Sequence, residues 1–297
     1  METLSSLLIA GLSLGSVYAV LALGFVTIFK STGVFNLAQG SLLVMSVLVL
    51  ARLEPLIGFF PALLAGVAFG GMLSGAVYLV LARRVKGPDL MVLLAILMIA
   101  VDIALTTEAR REIGTQIIPV HTPWGDMTLD FLGATVPLSR VVTVCVASVL
   151  LAVFFLALRY TGWGVAMRAN AEDQEAAALA GINTSRISTS AWVVGGALTV
   201  IAGVFLVSFP TPGLEIGVGV TALRALPAVM LGGVDSFGGA VVGGLIIGVV
   251  EALAAGYQHQ LAFLGIGLSG VLPYVVLFVV LLWRPQGLFG SREAVRV

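Results

Sequence analysis

Few residues in this chain are equipped for chemistry, and most of those lie where charge is expensive. Asp102 in A-V-D-I-A-L, Arg224 in T-A-L-R-A-L-P and Glu251 in V-V-E-A-L all interrupt apolar stretches. A charge at mid-bilayer costs at least ~2.5 kcal/mol on insertion scales, so an ionisable residue kept there marks a working site or has a neutralising partner. Asp102 falls near the outer end of its stretch, where it either reaches interfacial water or contacts a solute. Arg224, between Gly219 and Pro227, either caps a broken helix or pairs with an acid, and Glu251 is the candidate acid. Three scattered ionisable groups make a poor proton relay. The amides of Asn36 and Gln39 are three residues apart, on one face of a helical turn bracketed by Gly33 and Gly40. Uncharged amides either line a polar path without the insertion cost of a charge or bond neighbouring helices.

Other chemistry is missing. No G-x-x-x-x-G-K-[ST] occurs, so the chain carries no phosphate-cradling loop of that kind. No H-E-x-x-H or G-x-S-x-G appears. His121 and His259 are far apart, with no cysteine or carboxylate cluster beside them, so neither a metal site nor a bound cofactor is expected. Cys145 is the single cysteine and forms no internal disulfide. Enzymatic catalysis is therefore not expected of this chain.

The elements that must position these residues are membrane helices. Apolar residues make up 59% of the 297 and charged ones 10%, well below the ~25% charged of a soluble domain. Thr3–Phe29, Pro55–Ala82 and Ile187–Leu214 contain no Asp, Glu, Lys or Arg. Each is long enough to cross the ~30 Å of hydrocarbon as a helix. Lipid cannot satisfy backbone amides, so helices rather than open strands are expected. The reading is an all-α polytopic transmembrane bundle over residues 1–297, one membrane domain in the cell membrane. Its segments fall near 6–29, 33–51, 56–82, 89–107, 141–159, 189–209, 216–233, 238–257 and 263–283. The first stretch has no Lys or Arg before it and reads as a retained helix. Segments 33–51 and 216–233 are candidates for re-entrant helices, so the count is eight or nine. Net charge is zero, which implies no nucleic-acid partner.

The positive-inside rule orients the chain. Arg83, Arg84 and Lys86, then Arg159, Arg168 and Arg186, then Arg284, Arg292 and Arg296 all fall on the cytoplasmic side with the C-terminus. The connection from Thr107 to Arg140 then faces outward, and its Arg110–Arg111 pair conflicts mildly with the rule. Gly11/Gly15, Gly66/Gly70, Gly71/Gly75, Gly239/Gly243 and Gly244/Gly248 are spaced for close helix packing, or for a dimer seam.

The most polar stretch is Arg168–Arg186, R-A-N-A-E-D-Q-E-A-A-A-L-A-G-I-N-T-S-R. Asn170 reads as an N-cap, Glu172 and Asp173 as first-turn acids, and Gly181 as the stop. The expected helix, about 171–180 within a segment of about 170–182, is ~15 Å long and cannot span a bilayer. Ala176, Ala177 and Ala180 give it a small, smooth face, and Asn183 or Thr184 caps the next membrane helix. Two sets of caps suit a rigid cytoplasmic helix that receives force from another protein.

E-A-A-A-L-A-G, Glu175–Gly181, resembles the coupling motif of ABC-importer permeases. G-S-V-Y-A-V-L-A-L-G-F (15–25) with G-V-F-N-L-A-Q-G (33–40) is similar to the N-terminal signature of branched-chain amino-acid permeases of the LivH type. The coupling stretch 171–186, the glycine-rich 231–251 and R-P-Q-G-L-F-G (284–290) come in that family's order, so the resemblance spans the chain. It implies a permease subunit for branched-chain or other hydrophobic amino acids, in which Glu175, Ala176, Ala177 and Gly181 engage an ATPase. It implies a second permease of the LivM type, two ATPases that bind the ATP, and an external substrate-binding protein. The family usually reads N-F-A-H-G where this chain has Leu37 and Gln39, and it also includes permeases for urea, short amides and organic acids. A stand-alone secondary transporter or channel is the rival of another class, and it would want aligned intramembrane acids.

Overall fold

The computed structural model describes residues 4–85, 90–125, 127–131, 134–208, 213–258, 260 and 267–290. Lys86, His259, Arg292 and Arg296 of the orientation and metal arguments lie outside the described residues. The protein is an all-α bundle. Its helices are α1 (Leu4–Thr32), α2 (Gln39–Ile57), α3 (Phe59–Ala76), α4 (Leu90–Ile113), α5 (Leu138–Tyr160) and α6 (Gly162–Glu172). They continue as α7 (Gln174–Leu179), α8 (Thr184–Leu206), α9 (Gly217–Leu223), α10 (Ala225–Gly232), α11 (Phe237–Gly256) and α12 (Leu268–Trp283). A π turn and a 3-10 turn carry α3 on to Arg84.

Among the described residues, seven helices are long and apolar enough to cross a membrane: α1, α2, α3 with its extension, α4, α5, α8 and α11. The expected segment 216–233 is two short helices broken at Arg224. The 33–51 segment begins late, at Gln39, behind a non-helical connector. Between α4 and α5, β1 (Thr128–Phe131) and β2 (Ala134–Pro137) form an antiparallel hairpin that pairs Leu129 with Val136.

One expectation changes here. Helix α4 does not stop at Thr107 but runs on through T-E-A-R-R-E-I to Ile113. Ala, Glu and Arg are strong helix formers, and Arg111 bridges Glu108 at 2.7 Å one turn back. Asp102 therefore lies twelve residues from the start of α4 and eleven from its end, at mid-helix rather than near the outer end.

The chain forms two compact units. One comprises residues 27–123 and 149–223. Its core gathers Ile28, Val34, Met98 and Trp192, with the Tyr78 and Trp192 rings 5.7 Å apart. Small residues let α3 and α8 approach closely: a Cβ on Gly196 would come 2.6 Å from the Gly70 carbonyl oxygen. The other unit comprises residues 1–26, 124–148 and 224–297. In it Gly11 and Gly15 of α1 meet Val249 and Leu245 of α11, and Gly244 and Gly248 return the contact against Ala19 and Gly15. Residue numbers rise on one helix as they fall on the other, so the pair is antiparallel. The glycine spacing thus serves packing within this chain. The tail Leu288–Phe289 bonds the Leu231 and Gly232 carbonyls at 2.8 and 3.0 Å, tying R-P-Q-G-L-F-G to the end of α10.

Candidate functional site

The polar stretch is two short helices. Thr161 Oγ1 accepts the Gly164 N–H at 3.1 Å and starts α6. That helix runs through Asn170 to Glu172, so Asn170 is not the cap the sequence suggested. The break comes at Asp173, whose extended backbone (φ −155°, ψ 111°) opens a new N-terminus. Its carboxylate accepts the Glu175 and Ala176 N–H groups at 2.8 and 3.0 Å, which caps α7. At the other end Ile182 N–H bonds the Ala177 carbonyl and Gly181 N–H the Ala178 carbonyl, both at 3.0 Å. This is the Schellman arrangement, and Gly181 takes the left-handed φ of +85° that it requires. Asn183 then caps α8 by accepting the Arg186 N–H at 3.1 Å. Arg168, donating to the Leu158 carbonyl at 2.6 Å, and Trp163, donating to Ser190 at 2.8 Å, hold α6 from both sides.

The anchor point of α7 was not legible in the sequence. The carbonyl oxygen of Ser31, one residue before the end of α1, accepts three donors. They are Asn170 Nδ2 at 3.1 Å from α6, Gln174 Nε2 at 2.8 Å from α7, and Ser188 Oγ at 2.9 Å from α8. The last four carbonyls of any helix need outside partners, which is the signal that would have pointed here. Three elements thus hang on one atom that leads into the connector. Helix α7 exposes Gln174, Glu175, Ala176, Ala178 and above all Leu179, 91% exposed, with Ala180 exposed just beyond it, whereas Ala177 is buried at 4%.

Beyond Ser31 the chain climbs through residues 33–38 without helix. Ser31 sits beside Ser188, while Gln39 Nε2 donates to Thr199 Oγ1 at 2.6 Å, eleven residues further along α8. Eleven helical residues rise ~16 Å, within reach of a six-residue extended connector of at most about 20 Å. Irregular backbone at that depth is tolerated only when buried in protein, and Asn36 and Gln39 are each 1% exposed. Asn36 precedes α2, so the two amides do not share a helical face as expected. Its Oδ1 instead accepts the Ala38 N–H at 3.2 Å and shapes the turn. Asn36 Nδ2 and Gln39 Oε1 are buried without a partner, and each such group costs about 1–3 kcal/mol. Gly40 abuts Gly219 of α9, where a Cβ would stand 3.1 Å from the Gly219 carbonyl carbon.

The other ionisable residues separate into two places. In the unit holding α10–α12, Arg224 at the helix break pairs with Glu251, which also accepts the Tyr18 hydroxyl at 2.8 Å. Tyr18 is fully buried and had no signal of its own, although it continues the Gly11/Gly15 face one turn on. In the other unit Asp102 faces a small cavity beside Gly40.

Among the described residues, seven apolar spans, a buried polar connector and a capped, exposed helix tied to a membrane helix define a multi-pass membrane protein. The chain belongs to the family of branched-chain amino acid transport system permease components, whose sequence pattern it matches over residues 7–281. It is 29% identical to the high-affinity branched-chain amino acid transport system permease protein LivH of Salmonella typhimurium, over 97% of this chain and 96% of that protein. It is 27% identical to the corresponding BraD protein of Pseudomonas aeruginosa, over 98% and 97%. It is also 28% identical to the fructose import permease protein FrcC of Rhizobium meliloti, over 82% of this chain and 69% of that one. No solved structure matches the chain.

Proposed function

We propose that this protein is a permease subunit of an ABC importer for branched-chain or other hydrophobic amino acids. It acts with a second permease of the LivM type, two cytoplasmic ATPases and an external binding protein. The observation that carries the reading is the capped, solvent-exposed α7 tethered to the Ser31 carbonyl at the end of α1. In this reading an ATPase grips Glu175, Ala176 and Leu179, while Ala177 and Gly181 hold the helix in shape. Movement of α7 pulls on α1 and on the buried connector with Asn36 and Gln39, which lies on the translocation path. The full-length similarity to the LivH and BraD permeases supports amino acids over the sugar that FrcC's name specifies.

The test is Glu175→Lys in the assembled importer. Glu175 is exposed and makes no side-chain bond that holds the fold among the described residues, so the variant inserts normally. ATP-driven amino-acid uptake should fall to background. Uptake at the unsubstituted rate would remove the coupling assignment.

A further inference from the structure

We propose that the cavity among α2, α4 and α9 is a binding site for a zwitterionic amino acid, with Asp102 taking the ammonium and Arg110 the carboxylate. This rests on the amino-acid reading above and gives it a place. The cavity has a free volume of about 200 Å³. A water's share of the liquid is ~30 Å³, so the space holds about seven waters, or one molecule the size of valine or leucine.

One wall is polar. Asp102, Thr106 and Arg110 recur at intervals of four on α4 and so share a face. Asp102 is at mid-helix, where an ionisable group is a functional candidate by default. Some of the chain's other ionisable side chains do find partners: Arg111 pairs with Glu108, Arg224 with Glu251, and His121 contacts Glu54. Asp102 and Arg110 have no side-chain hydrogen bond or ion pair among the described residues. Eight residues separate their Cα atoms by ~12 Å, and helical side chains lean toward the N-terminus. The Cα–Cβ bond of Arg110 therefore tilts toward Thr106, and no ion pair joins Arg110 to Asp102 among the described residues. An amino acid carries its two charges on one carbon and fits between them. Arg110, which breaks the positive-inside pattern as a loop residue, is then explained as part of a site.

Other lining residues are apolar. Val44 of α2 and Val220 and Leu223 of α9 line the cavity, apolar groups suited to a branched aliphatic side chain. Gly40 and Gly219 also line the space, and their backbones touch because neither has a Cβ.

The experiment uses the assembled importer carrying Cys145→Ser and Thr106→Cys, reacted with a charged methanethiosulfonate. L-Leucine at ten times its Kd should slow labelling about tenfold by mass action. Leucinamide, lacking the carboxylate, and 4-methylpentanoate, lacking the ammonium, should not. Adding Asp102→Asn should abolish protection by leucine and admit 4-methylpentanoate, and adding Arg110→Gln should admit leucinamide. Leucine uptake by the Cys145→Ser complex without any protection at position 106 would overturn the cavity assignment alone. Failure of that complex to take up any amino acid would overturn the reading beneath it.

Discussion

The Ser31 carbonyl offers the sharpest separation of holding from transmitting. Gln174 is the side chain that links α7 to it, whereas Asn170 and Ser188 reach the same atom from α6 and α8. A carbonyl oxygen has two lone pairs. Removing any one donor therefore leaves it satisfied, and no buried acceptor is orphaned. The stability cost of Gln174→Ala is then that of one net hydrogen bond, about 0.5–1.5 kcal/mol. Ser188→Ala removes a bond of similar length, 2.9 against 2.8 Å, and should cost a similar amount. It leaves α7 tethered. The two variants should match in thermal stability and differ in function. In proteoliposomes containing the assembled importer, amino acid imported per ATP hydrolysed should drop severalfold for Gln174→Ala and stay near the unsubstituted value for Ser188→Ala. Equal ratios in the two variants would refute transmission through this bond.

Two further outcomes concern the unit that holds α11. Glu251→Ala leaves the Arg224 guanidinium and the buried Tyr18 hydroxyl without their acceptor. Because the Arg224 guanidinium keeps partial access to solvent, the cost should fall below the roughly 3–5 kcal/mol of breaking a fully buried pair, yet exceed that of losing the Tyr18 bond alone. Tyr18→Phe should cost about 1.5–3 kcal/mol, the worth of a hydrogen bond to a charged group, and detergent thermal melts would rank the two. Gly248→Ala drives a Cβ into the Gly15 backbone and should prevent α1 and α11 from packing, while Gly238→Ala meets nothing within 4 Å. Replacing glycine by alanine in an open helical position gains up to about 1 kcal/mol, so the second variant should be as stable as the parent or slightly more so in the same melts.

Much of the fold was legible because the bilayer leaves one solution: charge-free runs become helices, and the long ones appear near their expected places. The glycine pairs and the Arg224–Glu251 pairing were also readable, since spacing and charge alone imply them. The errors lie where polar residues choose between helix and turn. Asn170 and Asp173 are both good caps by type, and only the long start of α6 at Gly162 selects Asp173. The end of α4 was misplaced because hydropathy stops at Thr107 while helix propensity continues to Ile113. That error hid the mid-helix position of Asp102. The Ser31 node was beyond reach for a simple reason. Its acceptor is a backbone atom, and its donors lie more than a hundred residues away in sequence.

In the proposed function, this chain moves solute by receiving work from an ATPase. Radiolabelled L-leucine uptake should be measured in proteoliposomes holding this chain and a second permease, with the binding protein outside, and with or without ATPase subunits and ATP inside. Uptake only when both ATPases and ATP are present is the expected result. Uptake by this chain alone, driven by an ion gradient, would contradict ATPase-driven transport.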